Sequence, residues 1–215
     1  MICRDRQLLF IHVPKTAGQA MEQYILNSMG LDWKKDKASM LCKKNRWPWK
    51  GPLRLAHLTA QEYLDYNYLS QKEFDGMFKF AFVRNPWARM VSYFTYAGCD
   101  KKFSFDSWLM NHLPTPKDDG LLIRKSGYRM IMPQTDYILS NEGELIVDYV
   151  GKFENIKDDF KEVCSLAGLP EDSLPSKNVS KKGKHYSEYY TPELKDRVAE
   201  LYSLEIEMFN YTFEG

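Results

Sequence analysis

The sequence predicts an α/β domain with a central parallel sheet flanked by helices. Three observations carry this expectation. Short β-branched and aromatic runs alternate along the chain with segments of helical spacing, the pattern of βαβ units. Turn and cap signals sit at the joints, Pro14-Lys15-Thr16-Ala17-Gly18 after one run and Arg84-Asn85-Pro86 after a later one. No internal repeat or low-complexity tract interrupts the alternation. At 215 residues, with 44% hydrophobic and 27% charged, the chain suits one domain, 1–215, with enough apolar surface for a core.

Residues 7–13, QLLFIHV, read as a buried strand, and residues 18–29 as an amphipathic helix with Met21, Tyr24, Ile25 and Met29 on one face. LRLAH, residues 53–57, is expected to form a second short strand, after which Thr59 and Glu62 form a capping box that starts a helix. KFAFV, residues 79–83, reads as a third strand, and Pro86 suits the first turn of the next helix, which carries Val91, Phe94 and Thr95. FSFDSWLMNHL looks helical, VDYVGKF reads as a fourth strand, and NIKDDFKEVCSLAGL as a helix stopped by Gly168. A long amphipathic helix is expected from Thr191 to Asn210. Two polar insertions, residues 42–52 and 176–190, fall outside the core pattern.

Bulk properties exclude several classes. A formal net charge of +1 gives no global basic excess for nucleic acid, so any attraction for anions must be local. No window reaches the roughly 18 uncharged apolar residues of a membrane span, and charges interrupt the N-terminal MICRDRQLLF where a signal peptide needs an apolar run. The expected location is cytoplasmic if Met1 is the native start, with a Golgi lumen open for a chain cut from a longer protein. Cys3, Cys42, Cys99 and Cys164 show neither CxxC spacing nor a nearby histidine pattern, which favours reduced thiols over zinc or disulfides.

Chemistry gathers at two strand-to-helix hinges. The first is not a GxxxxGK[ST] loop, because Leu9 occupies the place of the leading glycine, which disfavours an ATP-dependent phosphotransferase. What remains is a short turn in which Lys15 supplies charge, Thr16 a hydroxyl and residues 16–20 a row of amides at a helix N-terminus. A plain turn with an exposed lysine would read the same way. The second hinge places Arg84 at a strand end and Ser92 two helical turns later, and guanidinium with hydroxyl is phosphate-binding chemistry.

Together, HVPKTAG and FVRNPWARMVSYF resemble the paired signature of the sulfotransferases that use 3'-phosphoadenosine 5'-phosphosulfate (PAPS), above all the carbohydrate, 2-O-sulfotransferase-like branch. HLTAQEY, MPQTDYI, VDYVGKFENIKDDF and LYSLEIEMFNYTF follow in that family's order. The resemblance implies a P-loop-like sulfotransferase fold and metal-free transfer of a sulfuryl group from PAPS to a hydroxyl, most naturally of a carbohydrate. It implies that Lys15, Thr16, Ala17, Gly18, Gln19 and Ala20 hold the 5'-phosphosulfate, with Lys15 at the leaving oxygen, and that Arg84 and Ser92 hold the 3'-phosphate. Lys182 and Gly183 resemble the late basic-glycine loop that closes over that phosphate. The chain departs from the family at Gln19 and Ala20, where two hydroxyl residues are usual, so amide contacts survive and hydroxyl contacts do not. Arg89, also usual in the second motif, reads as a brace for its helix.

A general base is needed for the attacking hydroxyl. His57, at the end of LRLAH, would open onto the same sheet edge as Lys15, and the resemblance places a histidine base in a comparable region. His12 reads as a packed core residue, His112 as surface, His185 as a loop residue within reach of ligand, and Glu62 as an alternative base. The loop KKNRWPWKG interleaves Lys43, Lys44, Arg46 and Lys50 with Trp47 and Trp49, which suits a sugar stacked on indole with anionic substituents on the cations. A loop packed on its own domain would look alike. Gln134, Tyr189 and Tyr190 are placed near the acceptor by their order alone. A non-catalytic nucleotide- or polysaccharide-binding module stays open as a rival, and the sequence sets neither the acceptor's identity nor the oligomeric state.

Overall fold

A computed structural model describes residues 1–120, 125–171, 174–175 and 184–214. Strand β1 (Ile2–Cys3) pairs antiparallel with β2 (Leu8–Ile11), which leads through a turn into α1 (Gly18–Ser28). Short helices α2 (Trp33–Asp36), α3 (Ala60–Asp65) and α4 (Gln71–Asp75) precede β3 (Phe78–Val83), and α5 (Pro86–Tyr96) follows it. Then come α6 (Phe105–Asn111), a small hairpin of β4 (Asp119–Gly120) and β5 (Lys125–Ser126), β6 (Tyr149–Lys152), α7 (Ile156–Ala167), α8 (Pro192–Leu201) and α9 (Ser203–Phe209). The main sheet has the order β1-β2-β3-β6, with β2, β3 and β6 parallel and β1 an antiparallel edge.

β2 and all of β3 after Phe78 are buried, which is why their sequences are apolar on both faces rather than alternating, Lys79 excepted. Leu8, Phe10, Phe80 and Phe82 pack with Met21 and Ile25 of α1 and with Phe160 and Val163 of α7. Leu9, Ile11 and Ala81 point the other way, onto Leu58, Tyr63 and Ile138. A third cluster joins Val83 to Trp87 and Met90 of α5, Trp108 of α6 and Val198 of α8. Gly151 of β6 lies opposite Phe82, and a Cβ there would come within 2.5 Å of the phenyl ring. All four cysteines are free thiols.

Two expectations are corrected here. Residues 53–57 are not a strand: Leu55–His57 forms a 3-10 turn, and Arg54 bridges only to Lys44 in its own loop. The physical reason is competition, since β1 already fills the free edge of β2. The C-terminal helix is also broken. Tyr202 leaves helical geometry at φ −125° and ψ 29°, and its hydroxyl donates to Ile131 O at 2.6 Å, a tertiary bond that divides α8 from α9. The capping box at the start of α3 forms as expected, with Glu62 N donating to Thr59 Oγ1 at 3.1 Å and Thr59 N to Glu62 Oε2 at 2.9 Å.

Candidate active site

The turn between β2 and α1 holds two L-residues in left-handed backbone, Lys15 at φ +73° and Ala17 at φ +64°. Such residues each cost about 1–2 kcal/mol. Such backbone is the setting of a nest, a turn in which neighbouring N–H groups can converge on one concavity. Ala17 is the N-cap of α1 and offers the first-turn amides no side-chain acceptor, so the helix end suits an anion. Thr16 is buried and its hydroxyl donates to Val13 O at 2.8 Å, so it fastens the turn from within and leaves only its backbone for a ligand. Gly18 is demanded by a neighbour: a Cβ there would stand 2.2 Å from Cδ2 and 2.3 Å from Nε2 of His12.

At the end of β3, Gln134 grips the backbone of Arg84. Its side-chain oxygen accepts from Arg84 N at 2.8 Å, and its amide donates to Arg84 O and to Glu205 Oε1, each at 2.8 Å. Gln134 is wholly buried, which corrects its expected place at the acceptor, because its amide is committed to the protein. Arg89 is also buried and donates to the carbonyls of Pro14, Met130 and Met132, tying the first turn to α5. It is a brace, as read from the sequence, though through backbone oxygens more than through its 3.9 Å approach to Glu205.

These supports bring the two hinges together. The Arg84 guanidinium lies over Phe153 at 4.2 Å, and Nη1 donates to Lys15 O at 3.3 Å. Arg84 Nε is buried with no hydrogen-bond partner among the described residues. Lys15 Nζ stands 3.8 Å above the centre of the Tyr96 ring, and burial, helped by Arg84, pulls its pKa down to about 8. Ser92, one helical turn before Tyr96, faces the same cavity as Lys15 and Arg84.

His57 belongs to that cavity as well. Its Nδ1 lies 3.0 Å from His12 O, which fixes the proton on Nδ1 and leaves Nε2 as an acceptor. Burial, then the neighbouring His12, lowers the His57 pKa well below the usual histidine value. His12 is buried, as expected for a core residue, and it also lines the cavity, with Nδ1 at 2.7 Å from Glu22 Oε1. The two imidazoles meet edge-on at 4.4 Å between centroids.

The cavity encloses about 1760 Å³, beyond the roughly 300–1,000 Å³ typical of small-molecule sites. Lys34 and Lys37 near α2, Lys43, Lys44 and Arg54 at the base of the tryptophan loop, and Lys157 and Lys161 of α7 join Lys15 and Arg84 along its wall. Only two carboxylates, Glu22 and Glu171, face them among the described residues, and each already has a partner, His12 and Lys161 respectively. A nearly neutral chain thus carries a strongly cationic crevice.

Other expectations fare differently. Trp47 and Trp49 are 57% and 66% exposed, and neither they nor Arg46 line the cavity. Asn45 closes the loop by donating to Trp47 O and Gly51 O, both at 2.8 Å, which turns the two rings outward and onto each other at 5.2 Å. Only the loop base faces the cavity, so these three residues are corrected as acceptor contacts of the main crevice. Glu62 is held by Arg129 through two bonds of 2.8 and 2.7 Å, which removes it as a base. Tyr189 and Tyr190 pack in the third cluster, and Tyr190 donates to Trp87 O at 2.9 Å. His185 is exposed and pairs with Ser187 Oγ at 2.7 Å, and His112 is exposed and stacked on Phe103. Lys182 and Gly183 lie outside the described residues.

Sequence reasoning missed Tyr96, Phe153 and Glu22. Glu22 left one trace, a carboxylate beside Met21 on the apolar stripe of a helix, where a charge requires a partner.

A turn with left-handed residues after one parallel strand and an arginine after the next open on one cationic crevice at the carboxyl edge of the sheet of an α/β protein. The chain belongs to the sulfotransferase family: the model described as Sulfotransferase family matches residues 1–212. The chain is also 32% identical over 114 residues to an uncharacterized protein of Archaeoglobus fulgidus, a match covering 49% of this chain and 80% of that protein. No solved structure matches it. Membership makes it a transferase of sulfuryl groups to hydroxyl-bearing acceptors in general, and it bears out the resemblance carried by the two motifs. No helix among the described residues is long and apolar enough to cross a membrane.

Proposed function

We propose that this chain transfers the sulfuryl group of PAPS to a hydroxyl of a carbohydrate. The observation that carries the reading is the convergence of Lys15 and Arg84 on one cavity, with Arg84 bonded to the backbone of Lys15. The residues fit the donor: a nest at Lys15 and Ala17 suits one phosphate, and a buried guanidinium with an unpartnered Nε suits another.

When bound, PAPS supplies an activated sulfuryl group. Lys15, held against Tyr96, stabilises charge that develops on the leaving oxygen. Arg84 and Ser92 grip the 3'-phosphate and so fix the donor along the crevice. His57, neutral and with Nε2 bare, takes the proton of the attacking hydroxyl. Its depressed pKa keeps it unprotonated at neutral pH, and the negative charge of a bound nucleotide raises its basicity. The remaining cations, Lys43, Lys44 and Arg54 among them, and the size of the cavity support an acceptor of saccharide dimensions bearing negative substituents.

The test is transfer of radiolabelled sulfate from PAPS to a panel of desulfated glycosaminoglycan fragments. Label should move to glycan in the native protein and fall by about 100-fold or more in Lys15→Ala. His57→Ala should lose transfer while keeping affinity for adenosine 3',5'-bisphosphate. Undiminished transfer in His57→Ala would overturn the assignment of the base.

A further inference from the structure

The mechanism above uses one histidine of an adjoining pair and leaves the other, with its buried carboxylate, without a task. Glu22 is only 2% exposed, and its Oε1 accepts from His12 Nδ1 at 2.7 Å. A carboxylate on Nδ1 fixes that nitrogen as a donor and leaves the Nε2 edge turned to the crevice, where an Nε2–H would meet an anion. The Nδ1 of His57 faces a carbonyl instead, which favours the neutral ring with a bare Nε2. Neither Nε2 has a hydrogen-bond partner among the described residues, and both side chains line the crevice. The Nε2 edge of His12 lies over Gly18, the first residue of α1, where the nest and the helix end receive an anion.

We propose that Glu22 and His12 form a second catalytic dyad that donates a hydrogen bond from His12 Nε2 to the oxygen that leaves sulfur, opposite in role to the proton-accepting His57. This rests on the donor reading given above. In the balanced step, His57 Nε2 takes the acceptor's proton as the new oxygen–sulfur bond forms. The electron pair of the breaking sulfur–oxygen bond passes to the bridging phosphate oxygen. His12 Nε2–H and Lys15 stabilise that oxygen without a net change in protons on either. A carboxylate behind one ring and a carbonyl behind the other give two neighbouring histidines different partners, an arrangement in which one site holds an acid and a base together.

The test reads the rings directly. Protein labelled with nitrogen-15 histidine is examined by long-range proton–nitrogen NMR, free and saturated with adenosine 3',5'-bisphosphate, whose 5'-phosphate presents the leaving oxygen. The expected complex has His12 protonated on both nitrogens and His57 on Nδ1 alone. Glu22→Gln should remove the Nε2 proton of His12 and weaken nucleotide binding by about tenfold, and His12→Gln, a second variant whose folding is checked by circular dichroism, should weaken it similarly. A native complex in which His12 carries no proton on Nε2 overturns the dyad alone. Failure of the native protein to bind the nucleotide by calorimetry overturns the donor reading and the dyad with it.

Discussion

Arg84 Nη1 donates to the backbone carbonyl of Lys15 at 3.3 Å, joining turns that are 69 residues apart in the chain. The bond is short in space because β2 and β3 are parallel neighbours in register, Phe10 opposite Phe80, so both strands deliver their following turns to the same edge. Function at this edge therefore depends on the supports behind the two residues as much as on their charges.

Lys15 gives a pH dependence. Its pKa in the free protein is about 8, and a bound anion stabilises the ammonium, so the bound pKa lies above the free one. Affinity for adenosine 3',5'-bisphosphate should be level from about pH 7, where its phosphates are doubly ionised, to about pH 8. Above that it should fall by up to about tenfold per pH unit until the bound pKa is passed. Calorimetry in buffers of different ionisation enthalpy should show proton uptake on binding in that window. Affinity that stays constant well above it, with no uptake, contradicts the placement of Lys15 at the anion.

Ala17 carries backbone strain without a side chain that needs it. Ala17→Gly should stabilise the protein by about 1 kcal/mol, net of glycine's greater entropy when unfolded, or roughly 2–4 °C in Tm. Differential scanning calorimetry reads the shift. A lower Tm would show that the left-handed turn is not strained as described.

Gln134 is expected to act through Arg84. Gln134→Leu leaves the Arg84 backbone without its partner and removes the side-chain donor to Glu205 Oε1, which should cost about 2–4 kcal/mol in urea unfolding. Where the variant is folded, nucleotide affinity should drop by about tenfold while Ser92 and Lys15 are untouched. Native stability together with native affinity would refute the clamp.

The tryptophan loop yields the opposite expectation. Trp47→Ala with Trp49→Ala removes two exposed rings outside the crevice, so stability should change by no more than about 0.5 kcal/mol and nucleotide affinity by less than about twofold. A large loss of nucleotide binding would place the rings in the site after all.

Much of the fold was legible because its signals are local. Pro86 at a helix start, the Thr59 and Glu62 box, and the apolar runs of β2 and β3 each declare themselves within a few residues. LRLAH was misread because its apolar spacing suits a strand, and only the distant N-terminus, already paired with β2, denies it a place in the sheet. In the site, Lys15, Arg84, Ser92 and His57 were legible from motif and order, and the structure gathers all four on one cavity. Gln134 was not legible in its true role, since its partners lie 50 and 71 residues away. The outward turn of Trp47 and Trp49 depends on side-chain bonds from Asn45, and the same composition would serve a binding loop or a solvent-facing one.

The central claim is that two hinges grip opposite ends of one nucleotide bearing phosphate at 3' and 5'. Isothermal titration with adenosine 3',5'-bisphosphate and with ATP, on the native protein and on Arg84→Ala, tests it most directly. The bisphosphate should bind the native protein at least about tenfold more tightly than ATP, and Arg84→Ala should lose about 2 kcal/mol, or roughly 30-fold, of that affinity. Equal affinity for the two nucleotides, or bisphosphate binding that survives Arg84→Ala intact, would contradict it.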